Sequence, residues 1–96
     1  MVEVRQTLVF AAWLERLKDR QARARIQVRL DRLALGLAGD VKPVGGGVSE
    51  LRVDYGPGYR VYFKQQGPEL VLLLIGGDKR TQTKDIQRAL VLARDL

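Results

Sequence analysis

Ser49 to Lys84 reads SELRVDYGPGYRVYFKQQGPELVLLLIGGDKRTQTK, and the punctuation of this stretch decides the fold. Gly56-Pro57-Gly58 and Gln66-Gly67-Pro68 are turn signals that cut it into three strand-like segments. In Glu50 to Tyr55, Leu51, Val53 and Tyr55 alternate with Glu50, Arg52 and Asp54. In Tyr59 to Lys64, Tyr59, Val61 and Phe63 alternate with Arg60, Tyr62 and Lys64. A turn centred on Pro57 sets Asp54 opposite Arg60, Arg52 opposite Tyr62 and Glu50 opposite Lys64, two of them pairs of opposite charge. The third segment, Leu70 to Ile75, is apolar without alternation, as a central strand covered on both faces would be. Gly76-Gly77-Asp78 is expected to end it and to deliver Lys79-Arg80 just beyond.

The elements outside this stretch have sheet-covering patterns. Val2 and Val4 alternate with Glu3 and Arg5, a short strand with one buried side. Thr7 fits a helix N-cap, and Phe10, Trp13, Leu14 and Leu17 form an amphipathic stripe behind it, ending near Lys18-Asp19. A second helix is expected over Arg20 to Leu37, with Ile26, Leu30, Leu33 and Leu37 on one face and Arg25, Arg29 and Arg32 on the next. The short link between the two makes them an antiparallel hairpin. Gly39 to Val48 reads as a flexible glycine-rich connection, since no strand–glycine–lysine–helix order marks Gly45-Gly46-Gly47 as a phosphate cradle. The last helix, capped by Thr81 or Thr83, turns Ile86, Ala89, Leu90 and Ala93 inward. The expected fold is a single α+β domain over residues 1–96, in the order β-α-α-β-β-β-α, with a mostly antiparallel sheet packed by an N-terminal helical hairpin and a C-terminal helix.

Composition narrows the chemistry. The 96 residues are 46% hydrophobic and 29% charged, the balance of a soluble globular chain. The longest apolar run, Leu70 to Ile75, falls far short of the ~20 residues that span a bilayer, and no secretion signal opens the chain. There is no cysteine and no histidine, which removes disulfides, thiolate metal sites and the commonest general base. No metal or cofactor is expected, and catalysis would fall to Lys, Arg, Tyr, Asp or Glu. The formal net charge of +6 favours a polyanionic partner. The same cations also read as solvated faces: Arg60 as the partner of Asp54, Lys79-Arg80 as an exposed turn, the arginine stripe as a salt-bridged surface.

Two local signatures, Gly58-Tyr59-Arg60-Val61-Tyr62-Phe63 and Gly76-Gly77-Asp78-Lys79-Arg80-Thr81-Gln82-Thr83-Lys84-Asp85-Ile86, resemble the RelE/ParE toxin superfamily in their order and spacing. With Gly39-Asp40-Val41-Lys42-Pro43 and Val48-Ser49-Glu50-Leu51-Arg52, the chain is similar to the HigB-like, phage Gp49-like branch of addiction module killer proteins. The resemblance implies the toxin of a type II toxin–antitoxin system: a cytoplasmic, metal-independent endoribonuclease that cuts mRNA on the ribosome and is silenced by a helix-turn-helix antitoxin. It implies catalytic roles for Arg60 and Arg80. Ile86 stands near the point where RelE carries a tyrosine.

Metal-free cleavage by the neighbouring 2′-hydroxyl needs a proton acceptor, cations for the dianionic phosphorane, and help for the departing 5′-oxygen. Arginine's planar fork suits phosphate but stays protonated, so it cannot be the base. Arg60, Arg80 and Lys79 are therefore the catalytic candidates, with Arg52, Tyr62, Lys64 and Lys84 as RNA contacts. Lys79, Lys84, Lys64, Tyr62 and Glu50 remain alternatives for the base. A ParE-like gyrase poison and a non-catalytic RNA-binding module are the competing functions.

Overall fold

Residues 1–96 are described by a computed structural model. Strand β1 (Glu3–Gln6) leads into helices α1 (Leu8–Arg16) and α2 (Arg20–Ala34). Strands β2 (Val41–Gly45), β3 (Val48–Val53), β4 (Tyr59–Gln66) and β5 (Leu70–Asp78) follow, then a 3-10 turn at Lys79–Thr81 and helix α3 (Gln82–Arg94). The five strands form one sheet in the order β1-β5-β4-β3-β2. Only β1 and β5 run parallel; the remaining pairs are antiparallel. The α+β class is therefore observed, with a mixed sheet and one strand more than expected. No helix is long and apolar enough to cross a membrane.

Local chemistry sets the helix ends. The Thr7 hydroxyl accepts the Phe10 amide at 3.0 Å and donates to the Leu74 carbonyl at 2.7 Å, so one side chain starts α1 and ties it to β5. Asp19 caps α2 by accepting from the amides of Gln21 and Ala22, which ends α1 earlier than expected, at Arg16. Helix α2 likewise stops at Ala34. Gly36 takes a φ of 81°, open to glycine, and Leu37 leaves the helical face to lie 61% exposed.

The sheet separates two apolar clusters. On one side Phe10 of α1 and Ile26, Leu30 and Leu33 of α2 pack on Leu51, Val53, Val61, Phe63, Val71 and Leu73. On the other, Ala89 and Ala93 of α3 pack on Val48, Tyr62, Leu74 and Ile75. β5 is central and covered on both faces, as its unbroken apolar run indicates.

Three sequence expectations are corrected. Gly39 to Val48 is not a loose connection: Val41–Gly45 pairs with β3, and Gly46-Gly47 is the two-residue turn, with φ of 59° and 78°. Two consecutive positive φ angles make the hairpin turn that matches strand twist, which is what the glycines supply. Pro43 is tolerated because β2 is an edge strand. The β3–β4 register is displaced by two residues from the expected one. Arg52 faces Arg60, Glu50 faces Tyr62 and Val48 faces Lys64. A two-residue slip keeps every side chain on its own face, so the apolar pattern could not detect it.

Finally, Gly76 and Gly77 do not end β5, which runs on to Asp78. They are glycines because neighbours occupy the space of a side chain. A Cβ on Gly76 would lie 2.2 Å from the Trp13 ring, and one on Gly77 would lie 1.8 Å from a carboxylate oxygen of Asp85.

Candidate functional site

The register that overturns the expected charge pairs also builds the site. Arg52 and Arg60 stand directly opposite on β3 and β4, where like charges repel. Each is met by a carboxylate from elsewhere. Asp40, just before β2, accepts from Arg52 Nε at 3.1 Å and from an Nη at 2.7 Å. The hydrogen bond from Arg52 holds the Asp40 carboxyl below its ordinary value, and Asp40 in turn raises the Arg52 guanidinium. On the other side, Glu50 Oε1 lies 3.9 Å from Arg60 Nε. That is ion-pair distance but beyond a hydrogen bond.

A cleft of about 460 Å³ opens beside this pair, lined by Asp40, Arg52, Val53, Asp54, Gly56, Pro57, Gly58, Arg60 and Lys79. The β3–β4 turn forms one wall, and Gly56 and Gly58 bend it through positive φ angles. Lys79 joins the cleft because β5 persists through Gly77 before the chain breaks into the 3-10 turn. A hollow of about 660 Å³ between α1 and α2 is larger, but it mixes Glu15, Arg20 and Arg23 with amides and methyl groups. A hollow of about 540 Å³ also gathers Arg25, Arg29 and Arg32, so neither size nor the number of cations selects the site; the carboxylate buried behind Arg60 does.

Behind the cleft lies a buried polar cluster. Glu50 is 1% exposed, and its Oε2 accepts from the Tyr62 hydroxyl at 3.0 Å and from Gln82 Nε2 at 2.9 Å. Burial, and then the bond to Glu50, push the Tyr62 phenol far above its ordinary value, so it stays protonated as a donor. Arg60 Nε is buried without a hydrogen-bond partner.

The candidates from the sequence therefore separate. Arg52, Arg60 and Lys79 come together. Arg80 does not join them: its side chain is 78% exposed and bonded to Asp78, which also caps the 3-10 turn. Tyr62 has no exposed surface, so it cannot stack on a base; it is a core residue that anchors Glu50. Lys64 donates to the Ala93 carbonyl at the end of α3, where its charge suits the helix dipole. Lys84 is exposed on α3, away from the cleft lining. Of the α2 arginines, Arg29 bonds the carbonyls of Ala38, Asp40 and Arg52, clamping the approach to β2. Arg25 lies over the Tyr55 ring at 4.6 Å.

Asp40 and Gln82 were not singled out from the sequence. Asp40 carried a signal in being the acid nearest the start of β2, but its partner becomes visible only with β2 paired to β3. Gln82 gives no sign, because its bond to Glu50 spans 32 positions.

The class is thus an α+β domain whose mixed sheet carries a cationic cleft backed by a buried carboxylate. The chain is 50% identical over 95 residues to an uncharacterized protein of Haemophilus influenzae, covering 99% of this chain and 96% of that one. It belongs to the same family as that protein. No family model matches the chain.

Proposed function

We propose that this protein is a toxin of the RelE/ParE type, an endoribonuclease that cleaves mRNA on the ribosome without a metal ion and is neutralised by a cognate helix-turn-helix antitoxin in the cytoplasm. The observation that carries the reading is the convergence of Arg52, Arg60 and Lys79 on one cleft with a buried carboxylate at its back. The resemblance of the Gly58–Phe63 and Gly76–Ile86 signatures supplies the substrate class.

In this reading the scissile phosphodiester enters the cleft with its non-bridging oxygens toward Arg60 and Arg52. The 2′-oxygen attacks phosphorus, its proton passes to a base, and the 5′-oxygen leaves as the P–O5′ bond breaks and takes a proton from water. That sequence gives a 2′,3′-cyclic phosphate and a 5′-hydroxyl end. Arg60 stabilises the charge that builds on the phosphorane. Arg52 must exchange part of its grip on Asp40 for the substrate, so it serves binding more than the chemical step. Of the groups weighed as base, Tyr62 is sealed and its phenol pushed upward, Lys64 is held at the end of α3, and Lys84 does not line the cleft. Glu50 is sealed behind Arg60, which leaves Lys79, acting as the neutral amine after its ammonium has lost a proton to water, to take the 2′ proton. The ribosome adds rate by holding the mRNA in line for attack.

A reconstituted translation reaction tests this proposal. The purified protein should yield discrete mRNA fragments, and the antitoxin encoded beside it should suppress them. Intact mRNA together with gyrase-dependent cleavage of plasmid DNA would replace the nuclease by a gyrase poison. Retained but uncut RNA would leave a binding module.

A further inference from the structure

The cleft has one feature that phosphate binding alone does not explain: the polar cluster buried behind Arg60. A carboxylate that is 1% exposed is costly unless its lone pairs are satisfied. Glu50 meets that demand unevenly. Both of its neutral donors, Tyr62 and Gln82, bond the same oxygen, Oε2. Its other oxygen, Oε1, is aimed at Arg60 Nε, 3.9 Å away, and that Nε–H has no other partner. The arginine is itself held in place, with only 13% of its side chain exposed. Its neighbour across β5 is Gly77, which offers no side chain, and its neighbour across β3 is Arg52, which repels it. Glu50 is the only carboxylate within ion-pair distance of Arg60.

We infer that Glu50 is a positioning residue: held from behind by Tyr62 and Gln82, it presents one carboxylate oxygen to the inner edge of the Arg60 guanidinium and so fixes the outer edge toward an anion in the cleft. The site rests on the phosphodiester-cleaving reading above only for its substrate. The positioning itself is a statement about any phosphate bound there. The 3.9 Å gap matters for this role. A close bridge, like that in which Arg52 Nε and an Nη both donate to Asp40 Oδ1, would occupy two of the guanidinium's donors. A single carboxylate oxygen at a stand-off orients the group and leaves them free. Glu50 thus acts through Arg60 and touches no substrate.

Glu50→Gln is the informative change. The amide keeps the volume and can accept from Tyr62 and Gln82 through its oxygen, but its NH2 then meets Arg60 Nε–H donor against donor. With mRNA as substrate, kcat should fall about 10- to 100-fold, the cost of a misplaced catalytic charge, while KM, set by the ribosome's hold on the mRNA and not by the cleft, changes less than about threefold. In an Arg60→Ala background, Glu50→Gln should have no further effect, because the two act as one unit. Equal losses in both backgrounds would show a merely structural role and overturn the inference. So would an unchanged kcat.

A second readout does not need the nuclease. Inorganic phosphate titrated into 15N-labelled protein should shift the Arg60 Nε–H resonance, and Glu50→Gln should weaken that binding at least about tenfold. If the wild type cuts no RNA but phosphate binding still depends on Glu50, the positioning stands and the nuclease reading falls. If the variant cannot be folded, Gln82→Ala takes its place. Loss of one of the two bonds to Oε2 should lower phosphate affinity about two- to fivefold, and an unchanged affinity would overturn the inference.

Discussion

The two faces of the sheet are built on different terms. The face under α1 and α2 is apolar throughout: Phe10, Ile26, Leu30 and Leu33 meet Leu51, Val61, Phe63 and Leu73 with no buried acid among them. The face under α3 has a smaller apolar cluster, closed by the small side chains of Ala89 and Ala93, and it buries Glu50, the Tyr62 hydroxyl and most of Asp85. Both are read from the same strands, since alternate residues of β3 and β4 point to opposite sides. The difference teaches where a protein of this size can place function. One face supplies the stability that lets the other bury a carboxylate beside an arginine.

If that division is right, the largest stability loss should come from the helical face. Phe10→Ala removes a fully buried ring and should cost about 3–5 kcal/mol, seen as an earlier denaturant midpoint. A loss below 1 kcal/mol would mean that this face is not the anchor. Gly76→Ala comes next, because the added methyl would collide with the Trp13 ring between α1 and β5. Overpacking there should cost about 1–3 kcal/mol in the same titration.

On the α3 face, Tyr62→Phe keeps the ring and deletes the bond to Glu50. It should cost only about 1 kcal/mol, and a loss as large as that of Phe10→Ala would erase the contrast between the faces. The smallest effect belongs to the rim. Asp40 titrates below its ordinary value of 3.8 because Arg52 donates to it, so its contribution to folding is complete above that value and is lost as pH falls through its lowered folded value. The difference in Tm between wild type and Asp40→Asn should therefore be positive at pH 6 and shrink toward zero in acid. Both groups are solvent-exposed, and salt should reduce the difference as well.

The sequence revealed the parts of this molecule that depend on local pattern. The Leu70–Ile75 run located the central strand, Thr7 marked the start of α1, and alternation assigned the residues of β3 and β4 to their faces. What it hid depends on distant partners. Opposite charges at Asp54 and Arg60 suggested a register that the protein does not use, because Asp40 and Glu50 supply the compensation from other positions. Gly45-Gly46-Gly47 looked like slack chain, and Gly76-Gly77 looked like a stop. The first is a hairpin turn, and the second is a strand whose missing side chains make room for Trp13 and Asp85. In the site, Arg52, Arg60 and Lys79 were legible as cations near turns. The capture of Arg80 by Asp78 and the burial of Tyr62 were not, since neither leaves a periodic trace.

The central claim is that Arg60, and not the exposed Arg80, faces the scissile phosphate. Cleavage of one defined mRNA in a reconstituted translation reaction containing EDTA, followed by mapping of the fragment ends for the wild type, Arg60→Ala and Arg80→Ala, tests it most directly. The account predicts 2′,3′-cyclic phosphate ends, a loss of about 100-fold or more for Arg60→Ala, and a much smaller loss for Arg80→Ala. Wild-type cleavage by Arg60→Ala would contradict it.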